Sequence, residues 1–367
     1  MQDFLIDSPQ SDAWQKMLAR LGGSDALAAS ARRHGAFQRA REVKSAEDLL
    51  RLALAYGPGG RSLRVTAAEA AARGIAEVSD VALLGRLQRS ADWLTALCQD
   101  LLRQDLLATG DRTSDAAAQR VVRLIDGSRI EGPGKSCWRL HLAYDAGRRR
   151  IVDFAVTPLS QGETLDRLPI RPGDIVIADR GYPQPAALRN ARQADADVLV
   201  RLTWNSLNLR DAANRPLDWM TLFAQAAAAG GLDMPVAVHK ARGRFEPLPL
   251  RLVVLPKPPE MAHRARQVAL RAAAKDQRRV DPRTREAAGF LILLTSLDAA
   301  AFPPGTLAAL YRVRWQIELA FKRLKSILHL DRLPAKDRDL ARTWITAHLL
   351  LALLIDDVAA EMADSFP

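Results

Sequence analysis

At residues 121–130 the chain reads VVRLIDGSRI, and two similar runs follow it, SCWRLHLAYD at 136–145 and RRIVDFAVTP at 149–158. Apolar and polar residues alternate in these runs, whereas the preceding hundred residues have a helical period. Glycine and charged residues separate the runs, as in the turns between neighbouring antiparallel strands. This stretch therefore predicts a three-stranded meander.

Helix and strand patterns alternate after the meander. A strand pattern, DIVIAD (174–179), is followed by a helical pattern near 184–193 and a second strand, DVLVRLT (197–203). Three antiparallel strands followed by alternating helices and strands are typical of an RNase H-like mixed sheet, in which the first and fourth strands lie side by side. The predicted fold class is α/β, an RNase H-like mixed sheet with flanking helices.

Period and composition divide the 367 residues into four regions. Residues 1–110 predict an all-helical N-terminal region, and residues 111–203 carry the first part of the sheet. Residues 204–289 predict a β-rich, basic insertion, and residues 290–367 complete the core with a strand, a long helix and a closing helix.

Two helices of the N-terminal region have the spacing of a helix-turn-helix. The first ends at Ala72, Gly74 lies in the turn, and Ser79 is the expected N-cap of the second helix. Such a second helix can enter a DNA major groove, but an ordinary helical hairpin has the same pattern. Both interpretations stay open.

Composition favours an anionic partner. Fifty-three Lys plus Arg against 42 Asp plus Glu give a net charge of +11 and a pI near 10.1, which suits nucleic acid or an anionic membrane surface, although a generally basic proteome would produce the same excess. Cys98 and Cys137 provide neither a disulfide framework nor a zinc quartet. The best apolar run, LLLALLI at 349–355, is far shorter than the ~20 residues of a membrane span. We expect a cytoplasmic protein with no membrane partner.

Two aspartates follow buried strand patterns. Asp126 precedes Gly127 and Ser128, and Asp179 precedes Arg180 and Gly181. Each alone is common turn chemistry. Because the first and fourth strands are predicted to be neighbours, the two carboxylates could approach within the reach of one divalent cation.

Residues 311–325, YRVRWQIELAFKRLK, predict one continuous helix with two stripes. At about 100° per residue four polar residues share one face, at about 0°, −60°, −20° and −40°: Tyr311, Arg314, Glu318 and Lys325. The apolar residues beside them predict the buried face: Val313, Ile317, Phe321, Leu324 and Leu328. If Asp126 and Asp179 are left aside, Arg314 and Glu318 are explained by an i,i+4 surface ion pair worth ~0.3–0.5 kcal/mol.

The acidic residues predict a metal site. Asp126, Asp179 and Glu318 offer hard oxygen donors with no His or Cys cluster, which favours Mg²⁺ or Mn²⁺ over zinc. Two such ions about 3.5–4 Å apart catalyse in-line attack on a phosphodiester. Arg314 and Lys325 could hold the phosphate backbone beside them, and Tyr311 could hydrogen-bond to it or stack on it.

These residues resemble the DDE transposases of bacterial insertion sequences, in particular the fourth insertion-sequence family, which has a Tyr-x2-Arg-x3-Glu-x6-Lys signature. The signature is met from Tyr311 to Lys325, and the segments around Asp126 and Asp179 resemble the two aspartate blocks of the family. The resemblance runs from about residue 45 to 355.

The resemblance implies an RNase H-like core with a β-rich insertion before the Glu helix, and cut-and-paste transposition. It implies that the acidic triad binds two Mg²⁺ ions, for which Mn²⁺ can substitute, and that the enzyme nicks the element's end, forms and reopens a hairpin, and joins both ends to target DNA. The implied partner is double-stranded DNA, both terminal inverted repeats and target, bound by a homodimer in the bacterial cytoplasm at the nucleoid. The residues implied to contact DNA are Tyr311, Arg314 and Lys325, together with Arg180 and Tyr182 of the second aspartate block.

Three other functions are compatible with parts of the pattern. An RNase H-like nuclease or resolvase would share the carboxylates, and a decayed DNA-binding repressor would share the N-terminal helices. A tyrosine recombinase would use Tyr311 as a nucleophile, but the further Arg and His pairings of that chemistry are lacking.

Overall fold

The computed structural model of the protein describes residues 11–108, 120–134, 136–239, 246–275, 277 and 279–365. Within these residues the chain begins with helices: α1 (Asp12–Arg20), α2 (Gly23–Arg33), α3 (Ala46–Tyr56), α4 (Leu63–Ala72), α5 (Asp80–Gln88) and α6 (Ala91–Ala108). The helix end predicted at Ala72 is confirmed, and Ser79 caps α5 by accepting a hydrogen bond from the backbone N–H of Ala82. Gly74 supplies the left-handed turn between these helices, with φ of 65°.

The strands begin after residue 120, as predicted. The order of the remaining elements is β1 (Val121–Glu131), β2 (Cys137–Asp145), β3 (Arg150–Pro158), β4 (Asp174–Ala178), α7 (Pro185–Gln193), β5 (Asp197–Arg201), β6 (Asn208–Arg210), α8 (Trp219–Ala229), β7 (Leu232–His239), β8 (Leu248–Pro256), α9 (Pro259–Lys275), α10 (Pro282–Ala287), β9 (Phe290–Thr295), α11 (Pro304–Arg312), α12 (Trp315–Ile327) and α13 (Arg338–Ser365).

Nine strands of the described residues form one sheet, in the order β3-β2-β1-β4-β5-β9-β8-β7-β6. β1, β2 and β3 make the predicted antiparallel meander, while β1 is parallel to β4 and β4 is parallel to β5. Leu124 of β1 stands opposite Ile177 of β4. The prediction that the first and fourth strands are neighbours in a mixed sheet is confirmed.

The insertion, residues 204–289, extends this sheet. β9 is antiparallel to β5, and β8, β7 and β6 continue outward from it with antiparallel pairing. The basic insertion also contains two helices, α9 and α10. The four regions proposed from the sequence stay a prediction, but the insertion strands and the core strands share one hydrogen-bonded sheet.

Alternate residues of the central strands belong to two cores on opposite faces of the sheet. Leu124 and Ile177 lie in the core that contains the N-terminal helices, α12 and α13. Ile125 and Val176 lie in the core that contains α7 and α8. α13 packs against α3, α5 and α6, so both ends of the described chain contribute to the first core. None of the helices in the described ranges is both long and apolar enough to cross a bilayer.

The prediction of one continuous helix over residues 311–325 is wrong, because the helix is interrupted between α11 and α12. At this junction hydrogen bonds run from residue i to residue i−3, from Arg314 N to Tyr311 O at 3.1 Å and from Ile317 N to Arg314 O at 3.2 Å. Such bonds tighten the turn to about three residues, which changes the angular positions calculated for a regular α-helix. The apolar stripe is nevertheless buried at Ile317, Phe321 and Leu324.

A buried ion pair fastens β1 to β4. The guanidinium of Arg123 donates from Nε to Asp174 Oδ2 at 2.6 Å and from Nη2 to Oδ1 at 3.2 Å. The two side chains are 4% and 0% exposed. Because Asp174 begins β4, this bidentate pair fixes the parallel alignment at the strand's first residue.

We expect Arg123→Met to lower the free energy of unfolding by about 3–5 kcal/mol, because the buried carboxylate of Asp174 would lose its bidentate ion pair with Arg123. Chemical denaturation followed by circular dichroism measures the change. The control is Arg103→Met, which removes an exposed pair with Asp100 and should cost less than ~1 kcal/mol. Equal costs for the two variants would contradict this role of the Arg123–Asp174 pair.

Candidate active site

The register of the sheet brings two aspartates to one edge. The last residue of β1 that pairs with β4 is Ile125, which stands opposite Ala178. Each of these residues is followed by an aspartate, Asp126 after Ile125 and Asp179 after Ala178. Parallel strands end at the same edge of a sheet, so both carboxylates lie at the carboxyl end of this pair. Each is half-buried.

Arg314 connects the first aspartate to the glutamate. Its Nη1 lies 3.2 Å from Oδ2 of Asp126, and its Nη2 donates to Oε1 of Glu318 in the first turn of α12. The guanidinium is 13% exposed, whereas the Glu318 side chain is 54% exposed. The helix break places this guanidinium between two carboxylates that belong to different elements.

Tyr311 connects the second aspartate to the same junction. Its buried hydroxyl donates to Oδ1 of Asp179 at 3.1 Å, and Nη1 of Arg201 lies 3.8 Å from the same oxygen. The guanidinium carbon of Arg314 is 5.7 Å from the centre of the Tyr311 ring. Tyr311 and Arg314 therefore tie all three predicted acidic residues together. In this conformation Tyr311 contacts a carboxylate, where the sequence predicted a contact with DNA.

Burial affects the acidity of these groups. It raises the pKa of Asp126 to about 6, against the opposing effects of the Gly127 N–H, which donates to Oδ1 at 2.8 Å, and of Arg314. Burial also raises the pKa of Tyr311 to about 12, with the negative charge of Asp179 acting in the same direction. The Tyr311 phenol is therefore protonated near neutral pH and serves as a donor.

Lys325 lies on the same side of α12 as Glu318. Its Nζ donates to the backbone oxygen of Arg129 in β1 at 3.0 Å, and Lys325 is half-buried. Asp126, Glu318 and Lys325 line one open groove between β1 and α12. A cation and two carboxylates thus share a surface that a polymer can reach.

In this conformation Tyr182 is buried, where the sequence predicted a contact with DNA. Tyr182 is 1% exposed and lies in the core beneath α7 and α8, because its backbone N–H turns back to donate to the carbonyl of Asp179 at 3.2 Å. Its hydroxyl lies 3.4 Å from Nδ1 of His141, whose Nε2 is 3.0 Å from Oγ1 of Thr157. Arg180 is exposed beside Asp179.

The buried side chains of Tyr182, His141 and Thr157 support the turns that follow Asp126 and Asp179, and no pattern in the sequence indicated this network. A Cβ on Gly127 would lie 2.8 Å from the Tyr182 hydroxyl, and one on Gly181 would collide with the carboxylate of Glu163. Glu163 in turn pairs with Arg139 of β2 at 3.2 Å. Position 127, directly after Asp126, and position 181, two residues after Asp179, therefore favour glycine, because polar side chains from β2 and its surroundings fill the space behind them.

The three acidic residues fit a divalent cation by chemistry and by placement, but they are not assembled around one. Among the described residues no three His, Cys, Asp or Glu side chains are close enough to share an ion. The expected single cradle is therefore not formed in this conformation. The guanidinium of Arg314 contacts two of the three carboxylates, which is the position a bound cation would compete for.

Comparison with known proteins agrees with this fold and site. Residues 117–355 match the family described as Transposase DDE domain, which implies an RNase H-like fold. The chain is 40% identical over 362 residues to the transposase for insertion sequence element IS421 of Escherichia coli, covering 97% of this chain and 96% of the relative. It is also 40% identical over 361 residues to the protein assigned as transposase InsL for insertion sequence element IS186A of Escherichia coli strain K12, with coverages of 97% and 96%.

This chain belongs to the DDE transposase family. The family resemblance inferred from the sequence is thereby confirmed, as is the expectation of an enzyme for metal-dependent DNA cleavage and strand transfer.

Replacing Gly127 by Ala should lower the free energy of unfolding by about 1–3 kcal/mol, because the new methyl group meets the Tyr182 hydroxyl at 2.8 Å. Adding Tyr182→Phe to Gly127→Ala removes that oxygen and should recover part of the loss, as measured by the denaturation midpoint.

The matched control for this pair is Gly162→Ala, where the methyl group would meet no heavy atom within 4 Å. If Gly127→Ala were as mild as this control, the packing of the Asp126 turn against Tyr182 would be disproved.

Proposed function

We propose that this chain is the transposase of an insertion sequence and moves its element by cut-and-paste transposition. The observation that carries the proposal is the meeting of Asp126, Asp179 and Glu318, from three separate elements, at the Tyr311–Arg314 junction. An ordinary surface ion pair would not account for this arrangement, because it involves a position within β1, the residue after β4 and a helix, which are far apart in sequence.

The three carboxylates would hold two Mg²⁺ ions, for which Mn²⁺ can substitute. When bound, such ions lower the pKa of an attacking water or 3′-hydroxyl and stabilise the developing charge on the phosphodiester. Asp126, Asp179 and Glu318 provide only oxygen donors, as these ions prefer. The sheet carries Asp126 and Asp179, and α12 carries Glu318.

Arg314 and Lys325 would hold DNA phosphates beside the carboxylates. The guanidinium of Arg314 forms ion pairs with the carboxylates of Asp126 and Glu318. A phosphate offers it a bidentate partner of the same geometry as a carboxylate, so DNA can draw it away and leave the carboxylates available. Lys325 acts as a point charge in the adjoining groove.

The proposed reaction follows the order inferred from the family resemblance. The enzyme nicks the element's end, uses the freed 3′-hydroxyl to form a hairpin, reopens the hairpin and joins both ends to target DNA, with the paired ends held by a homodimer. Recognition of the terminal inverted repeats is assigned to α4 and α5. Val81, at the start of α5, is 74% exposed, and residues at the N-terminus of a recognition helix are those that reach base edges.

Asp126→Asn and Glu318→Gln should each reduce DNA cleavage about 10³-fold or more, because the site loses a ligand worth several kcal/mol of transition-state stabilisation. The assay uses a plasmid that carries the inverted repeats flanking the gene, with Mg²⁺ added. Asp331→Asn, a carboxylate change in the same groove, is the control and should keep activity.

Three outcomes would replace the proposal. A wild-type protein that binds the ends without cutting them would be a repressor, and one that cuts without joining pre-cleaved ends to a target would be a nuclease. Loss of cleavage in Tyr311→Phe together with a covalent protein–DNA product would indicate a tyrosine recombinase.

Helix α9 would add nonspecific contact with the DNA backbone. Arg264 and Arg271 are exposed on it, and neutralising each phosphate contact lowers the slope of log affinity against log salt by about 0.9. We expect Arg264→Gln with Arg271→Gln to reduce the slope by up to about 2, measured by fluorescence anisotropy on a labelled duplex. The paired control, Arg148→Gln with Arg149→Gln at the exposed β2–β3 turn, should leave it unchanged, and an equal slope in the two double variants would exclude α9 from the interface.

A further inference from the structure

The acidic edge of the sheet continues into the insertion. β8 is antiparallel to β9, and β9 is antiparallel to β5, so β8 runs parallel to β5 and ends at the same edge. Arg201 is the last residue of β5, and Lys257 is the first residue after β8. Along this edge lie, in order, Asp126, where β1 extends past the end of β4, then Asp179 after β4, Arg201 at the end of β5 and Lys257 after β8.

Three cations gather on the Asp179 side of this row. Arg201 Nη1 lies 3.8 Å from Asp179 Oδ1, and Arg180 follows Asp179 directly. The Nζ of Lys257 donates to the backbone oxygen of Ala288 at 2.7 Å, which holds it at the start of β9. In the part of the chain that the structure describes, neither Arg180 nor Lys257 forms an ion pair with a carboxylate.

The cations repel one another. Burial, and then the positive charges of Arg201 and Arg180, lower the pKa of Lys257 to about 8. Arg201 and Lys257 are half-buried, and Arg180 is exposed beside Asp179. Positive charges held at one edge with a single carboxylate among them are stabilised by a bound anion. A protein that acts on DNA meets phosphate as that anion.

We propose that Arg180, Arg201 and Lys257 form a binding site for a backbone phosphate of the substrate DNA on the Asp179 side of the active centre. This site rests on the proposed function and specifies which part of the substrate enters there. It is separate from the Arg314–Lys325 side, which borders Asp126 and Glu318. The insertion thus contributes a side chain to the active-site edge through Lys257.

The test measures binding of a labelled duplex carrying the inverted-repeat end that flanks the gene, without Mg²⁺, between 50 and 200 mM salt. Lys257→Met should lower the salt slope by about 0.9, so that the fall in affinity across this range becomes about 3.5-fold smaller, whereas Lys257→Arg keeps the charge and should match the wild type. Arg148→Met, an equal charge change at the exposed β2–β3 turn, should leave the slope unaltered. Circular dichroism and thermal melting verify that each variant is folded.

A second measurement locates the phosphate. Neutral methylphosphonates are placed one at a time around the cleavage point, and a substitution at the contacted position should weaken binding by the wild type but not by Lys257→Met. The proposed site would be disproved if the salt slope of Lys257→Met equalled that of the wild type, or if the effect of each methylphosphonate added to the effect of Lys257→Met at every position. Neither result would affect DNA cleavage by the wild type. A wild-type protein that neither binds nor cuts the end would instead overturn the proposed function, and this site with it.

Discussion

Parallel pairing of β1 with β4 is the constraint on which the acidic edge depends. These strands are more than forty residues apart, and only their alignment makes Asp126 and Asp179 neighbours. The Arg123–Asp174 pair sets that alignment from the opposite end of β4, where both charges are shielded from water. A stabilising interaction at one end of the strand therefore determines the geometry of the reactive end.

Much of this arrangement can be predicted from local sequence. The alternation in residues 121–158 and the strand before Asp179 depend on period alone, and these elements form where expected. Partners that are distant in sequence could not be found this way. His141 matters because β2 places it opposite Gly127, and β9 lies between β5 and β8; both facts depend on register and strand order. The burial of Tyr182 could not be predicted, because a turn residue near an aspartate gives no local sign that its ring is buried.

The break at Val313 and Arg314 was missed for a different reason. The segment contains neither Gly nor Pro, so its sequence favours an uninterrupted helix. The two turns of tighter hydrogen bonding are accompanied by contacts of Arg314 with Asp126 and of Tyr311 with Asp179. The helix is thus interrupted, against its local helical propensity, at the residues that make polar contacts with the sheet. The guanidinium of Arg314 lies between two of the carboxylates, which reduces the cost of holding these negative charges close together.

The position of β9 has a consequence for shortened forms of the protein. β9 donates and accepts hydrogen bonds on both sides, to β5 and to β8. A chain trimmed of residues 204–289 would keep β9 but leave one side of it without partners, as a bare row of amide and carbonyl groups flanked by the apolar residues of FLILLT. Such rows recruit other chains. The segment therefore also protects β9 from pairing with the strand edge of another chain, and a minimal version would need a substitute strand or charged residues along β9 to avoid aggregation.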